Sequence, residues 1–120
     1  MIEIVIVTTA TAKFEALEKQ LESNPKVHIG WAKTCDAAIK IASAETPSLM
    51  IIDAQLDDKS SLDLAREVIV VNAGIHMALV SSLSADEFHN ASEGLGILAQ
   101  LPPNPGISEA ALLLSLIETI

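Results

Sequence analysis

Aromatic residues are nearly missing from this sequence. They make up 2% of it, as Phe14, Trp31 and Phe88, with no tyrosine. Any core must therefore be assembled from Ile, Val, Leu and Ala. Cysteine is limited to Cys35, which excludes an internal disulfide and suits a reducing cytoplasm. No apolar run approaches the ~20 residues needed to span a bilayer. The N-terminus lacks the basic stretch and long apolar run of a signal peptide. Basic residues are outnumbered, 7 Lys and Arg against 16 Asp and Glu, for a net charge of −9. That balance opposes nucleic-acid binding, which depends on neutralising phosphates. It opposes docking on an anionic membrane for the same reason. It is compatible with a basic protein partner. Glycine-rich phosphate loops are absent too: there is no G-x-G-x-x-G and no G-x-x-x-x-G-K.

What is present is an apolar chain of 120 residues, 50% hydrophobic. That is enough to fold as one domain with one core and too apolar for disorder. Ile2 to Val7 is short and β-branched and reads as a buried strand. Hydroxyls at Thr8, Thr9 and Thr11 offer caps for a helix over Ala12 to Ser23. Phe14, Leu17 and Leu21 share one face of that helix, and Lys13, Glu15, Glu18, Lys19 and Glu22 the other. Val27 to Trp31 is a second strand. A helix capped by Thr34 follows over Cys35 to Ala44, stopped by Thr46-Pro47. Leu49 to Asp53 is the third strand, and a helix from about Ser61 to Val71 is closed by Asn72-Ala73-Gly74. Ile75 to Val80 is the fourth strand. Ser84 caps a helix through about Glu93, and Ile97 to Ala99 is a short fifth strand. Pro102, Pro103, Pro105 and Gly106 form a turn, and Ser108 caps the last helix.

Strand and helix thus alternate five times. The strands are continuous apolar runs, which predicts an α/β fold: a doubly wound, five-stranded parallel sheet with helices on both faces. In such folds chemistry gathers at the carboxyl ends of the strands. There the sequence places Thr8-Thr9, Asp53 to Asp58, Ser81-Ser82 and Leu101-Pro102. His28, His76 and His89 are scattered and have no metal-ligand spacing with Cys35. Ser81 and Ser82 have no evident histidine partner. No catalytic set and no metal site is expected.

These strand-end residues resemble those of the receiver domain of bacterial response regulators. "IVIVTT" falls where that family has a strand followed by two acids. "LMIIDAQLDDKSSLDL" matches the third strand with its phospho-accepting aspartate, here Asp53. "ALVSS" matches the fourth strand and its hydroxyl, here Ser81. "GLGILAQLPP" matches the segment through the family's Lys-Pro. The resemblance covers essentially the whole chain and implies a flavodoxin-like receiver topology, strand order 2-1-3-4-5. It is a degenerate match. Thr8 and Thr9 stand in place of both acids, Leu101 in place of the lysine beside Pro102, and Leu98 where many receivers carry a switching aromatic. Asp57 and Ser61 replace the usual Pro and Gly of the loop.

Phosphoryl transfer to an aspartate depends on charge management. Mg²⁺ takes a shell of hard oxygens that usually includes one or two carboxylates. With Thr8 and Thr9 in place, Asp53 is the only dependable carboxylate; Asp57 and Asp58 are expected to point outward. Losing one charge stabiliser typically costs 10²-fold or more in rate. The expected site is therefore a degenerate pocket of Asp53, Thr8, Thr9, Ser81, Leu101 and Pro102. In it a hydroxyl of Thr8, Thr9 or Ser81 donates to Asp53 within ~3.2 Å. No cofactor is expected, Mg²⁺ entering only if Asp53 is still phosphorylated.

The last helix, "SEAALLLSLIETI", turns Leu113, Leu116, Ile117 and Ile120 to the sheet, with Leu112 flanking them. Phe88, Leu95, Leu98 and Leu114 are the expected interaction surface, since in receivers the fourth helix, fifth strand and fifth helix form the usual partner face. The expected domain spans 1–120, standing alone or as the N-terminal domain of a longer protein.

The favoured function is a non-enzymatic, cytoplasmic, receiver-like signalling module of a two-component or related pathway. It would act on a protein partner, a fused output domain or a second copy through the last helix. The alternative is a receiver that accepts a phosphoryl group from a histidine kinase on Asp53. A third class is a flavin binder, suggested by the hydroxyl-rich "TTATAK". It is opposed by the missing glycine and by the lack of a stacking aromatic in the third and fourth strand-end loops.

Overall fold

A computed structural model describes residues 2–57 and 59–119. Asp58 and Ile120, both assigned orientations from the sequence, lie outside the described residues. The elements run β1 (Ile2–Val7), a 3₁₀ turn (Thr11–Phe14), α1 (Glu15–Glu22), β2 (Val27–Ala32), α2 (Cys35–Ala44), β3 (Leu49–Ile52), α3 (Ser61–Val71), β4 (His76–Val80), α4 (Ala85–Ser92), β5 (Ile97–Leu101) and α5 (Ile107–Thr119). The strands form one parallel sheet in the order β2-β1-β3-β4-β5. This is the doubly wound, flavodoxin-like architecture expected from the sequence. No helix of the described residues is long and apolar enough to cross a membrane.

The pleat divides the core. Val5, Val7, Met50, Ile52, Met77 and Leu79 face α2 and α3, which answer with Ala38, Ala42, Leu64, Ala65 and Val68. Ile4, Ile6, Leu49, Ile51, Ala78 and Val80 face α1 and α5, which supply Leu17, Leu21, Ala110, Leu113 and Ile117. Alanines on α2 and α3 let those helices lie close to the sheet, so a tight interior needs few aromatics.

Caps explain which helix ends were legible. Thr34 accepts from Ala37 N at 3.0 Å, and Ser84 forms a reciprocal capping box with Glu87. Ser60, one residue before the expected start, caps α3. Two caps are corrected. Ser108 lies inside α5, whose first turn is closed by Glu109 accepting from Gly106 N at 2.7 Å. No threonine hydroxyl caps the first helical segment, which enters through the 3₁₀ turn instead. β5 runs on to Leu101 because Gln100, polar in the sequence, keeps its place in the ladder opposite Leu79.

Candidate functional site

Register builds the site. Val7 pairs with Ile52 at the ends of β1 and β3, so Thr8 and Asp53 emerge side by side. The pleat that sends Ile6 and Ile51 toward α1 and α5 sends Thr8 and Asp53 the same way. Backbone bonds hold both: Asp53 N donates to Val7 O and Thr8 N to Ala32 O, each at 2.9 Å. Asp53 is 2% exposed and Thr8 0%.

A buried carboxylate must be paired and hydrogen-bonded, and Asp53 is. Thr8 Oγ1 donates to Oδ2 at 2.7 Å. Thr8 Oγ1 itself accepts from Ala10 N at 2.9 Å, so its one proton is committed to Asp53. Ala54 N donates to Oδ1 at 2.8 Å. Lys13 Nζ lies 3.2 Å from Oδ1 and 3.3 Å from Oδ2. The hydroxyl bond expected from the sequence is therefore present, and Thr8 makes it.

Lys13 is the residue that sequence reasoning missed. The helical period over Ala12 to Ser23 puts it on the solvent face. The structure puts it instead in the 3₁₀ turn, where Lys13 N donates to Ala10 O at 3.0 Å. The next residue, Phe14, is fully buried and anchors the turn against the sheet. With Leu101 in place of the family's lysine, the cation at Asp53 is supplied by Lys13 instead. The available signal was electrostatic: a strand-end aspartate needs a counter-charge, and Lys13 is the basic residue of the adjoining loop.

The other expected pocket residues disperse. Thr9 is exposed. Ser81 turns to its own loop, its Oγ accepting from Leu83 N at 3.2 Å. The register explains this: Ile52 pairs with Leu79, so Asp53 stands level with Val80, and Ser81 comes one step later on the opposite side of the pleat. Leu101 is packed into the core between the sheet and α5, and Pro102 is exposed. Asp57 is exposed and lines a separate cleft with Thr34, Cys35, Asp36 and Lys59.

Gln100 was also missed. Its Nε2 donates to Ser81 O at 3.2 Å and Leu83 O at 2.8 Å, tying the β4–α4 loop to β5. On the expected interaction surface, Phe88 is corrected: it is the buried residue of α4 and joins the core. A short helix with so little apolar surface has no other way to dock. Leu95, Leu98 and Leu114 are half-buried, the last two against the α1 and α5 side of the core. The large apolar side chains exposed on α5 are instead Ile107 and Leu112.

The donor set does not fit Mg²⁺. Among the described residues Asp53 supplies the one carboxylate of this set, both of its oxygens are engaged, and an ammonium lies against them. No group of three or more His, Cys, Asp or Glu among the described residues could hold a metal.

No family model matches the sequence, and no curated protein matches it significantly. Solved structures do match in shape. A two-component response regulator from Clostridium difficile superposes with a TM-score of 0.82 at 16% identity, over 99% of this chain and 97% of that one. The non-phosphorylated HemR receiver domain from Leptospira biflexa gives 0.80 at 21% identity, over 98% and 94%. The signal receiver domain of an HD domain-containing protein from Pseudomonas fluorescens gives 0.80 at 18%, over 98% and 88%. At these identities the likeness establishes the fold, which is that of receiver domains.

Proposed function

We propose that this chain is a receiver-like signalling module that works by protein contact and no longer uses phosphorylation. The observation that carries this reading is the closed set of partners around Asp53. Thr8, Lys13 and the Ala54 amide engage both oxygens of the one carboxylate through which a metal ion and a phosphoryl group would have to act. Without a metal-bridged route, phosphoryl transfer loses the charge neutralisation it depends on. Gln100 supports the same reading, because it clamps the loop that carries the Ser81 hydroxyl. A contact-only module then presents one fixed surface. On α5 that surface includes Ile107 and Leu112, and its occupant would be a protein partner, a fused output domain or a second copy in the cytoplasm.

Incubation with acetyl phosphate and Mg²⁺, followed by intact mass spectrometry, tests the reading. The unmodified mass is expected; a stoichiometric gain of one phosphoryl group on Asp53 would overturn it. A second reading, a working receiver phosphorylated by a histidine kinase, is favoured by one observation. The Lys13 ammonium could swing from Asp53 to a phosphoryl oxygen, as a lysine point charge does elsewhere. The same mass measurement separates the two.

A further inference from the structure

We propose that Lys13 is a resident counter-cation that takes the place of a divalent ion at Asp53 and excludes that ion even when a second carboxylate is supplied. This rests on the reading that Asp53 has stopped accepting phosphoryl groups, and it names the residue that enforces the change.

The geometry is specific. Nζ stands 3.2 and 3.3 Å from the two carboxylate oxygens. It therefore straddles the two oxygens that Thr8 and Ala54 N each bond singly. A Mg²⁺ ion must come within ~2.1 Å of a carboxylate oxygen in a near-octahedral shell. An ammonium in this position blocks the approach and repels the incoming charge.

Lys13 is also held there. Ala10 N donates to Thr8 Oγ1, and Ala10 O accepts from Lys13 N, so the segment from Thr8 to Lys13 is closed on itself. Phe14 pins its far end. The nearest acid on α1 does not compete, because Glu15 is paired with Lys19 at 3.2 Å. The other lysine near the third-strand loop, Lys59, is paired with Glu67 at 2.7 Å.

The test is a comparison of Mn²⁺ affinity by calorimetry in Thr8→Asp, Thr8→Asp/Lys13→Met and Thr8→Asp/Lys13→Arg, with cooperative melting checked for each. Methionine keeps the aliphatic stem and removes the charge, and arginine keeps the charge. The methionine double variant is expected to bind Mn²⁺ about tenfold or more tighter than Thr8→Asp alone, the increment a nearby like charge accounts for. The arginine double variant is expected to stay as weak as the single one. Equal affinity in all three, or no binding in the methionine variant, would overturn the proposal. If aspartate at position 8 prevents folding, the same series is run on Thr9→Asp, at an exposed position. A merely structural lysine would not rank the affinities by side-chain charge. The native chain's mass after acetyl phosphate reads the functional proposal separately, so either can fail without the other.

Discussion

Three donors converge on Asp53, and their different exposures predict different costs of removal. Thr8 is buried, so Thr8→Val takes from Oδ2 its shortest bond and leaves it only the longer one from Lys13. Denaturant unfolding is expected to show a loss of about 1–3 kcal/mol. Lys13 has a side chain 38% exposed, against 3% for Asp53. Removing one partner of a fully buried pair costs about 3–5 kcal/mol. Solvent screening lowers that for Lys13→Met, to about 1–3 kcal/mol. Asp53→Asn should cost less than Lys13→Met. It leaves a cation that can reach water, whereas Lys13→Met leaves a buried carboxylate. Melts of the two variants side by side check the order, and the reverse order would mean that Lys13 is not the partner Asp53 depends on.

The elements carry their own predictions. Phe88 is the anchor of α4, so Phe88→Ala is expected to cost about 3–5 kcal/mol and to free α4 first in hydrogen exchange. The α4–β5 connection turns through Gly94 and Gly96, with φ of 83° and 68°. A Cβ at Gly96 meets nothing within 4 Å. The cost of Gly96→Ala is therefore conformational alone, about 1–2 kcal/mol by thermal unfolding. Gln100→Ala should leave the sheet intact while speeding amide exchange at Ser81 and Leu83.

Most elements were legible because their signals are local. The bounds of α2 follow from the Thr34 cap and from a run of Ala and Ile between polar ends. The fold class follows from five apolar runs alternating with helical periods. The site was legible only in part, for a physical reason. Thr8 and Asp53 could be brought together by reasoning from strand order, because each ends its own strand. Lys13 was harder to place: the need of Asp53 for a counter-charge pointed to it, but helical periodicity put it on the solvent face, and only the 3₁₀ turn anchored by Phe14 brings it to the carboxylate. Gln100 was hidden because a polar residue in an apolar run reads as the end of a strand. Phe88 was misplaced because helix phase cannot tell an anchor from an exposed patch on so short a helix.

At the scale of the molecule, a net charge of −9 surrounds a core divided by the sheet. Self-repulsion of that charge predicts a higher melting temperature as salt is added, because screening weakens it. The exposed Ile107 and Leu112 of α5 predict that any self-association seen in sedimentation weakens with Leu112→Glu. The central claim is that this receiver fold holds Asp53 in one state. It is tested most directly by recording the amide NMR spectrum of the native chain with and without beryllofluoride and Mg²⁺, which together imitate a phosphorylated aspartate. The account predicts superimposable spectra, with Thr8, Ala54, Leu83 and Gln100 unmoved. Saturable shifts at Ala54 that spread into the β4–α4 loop would contradict it.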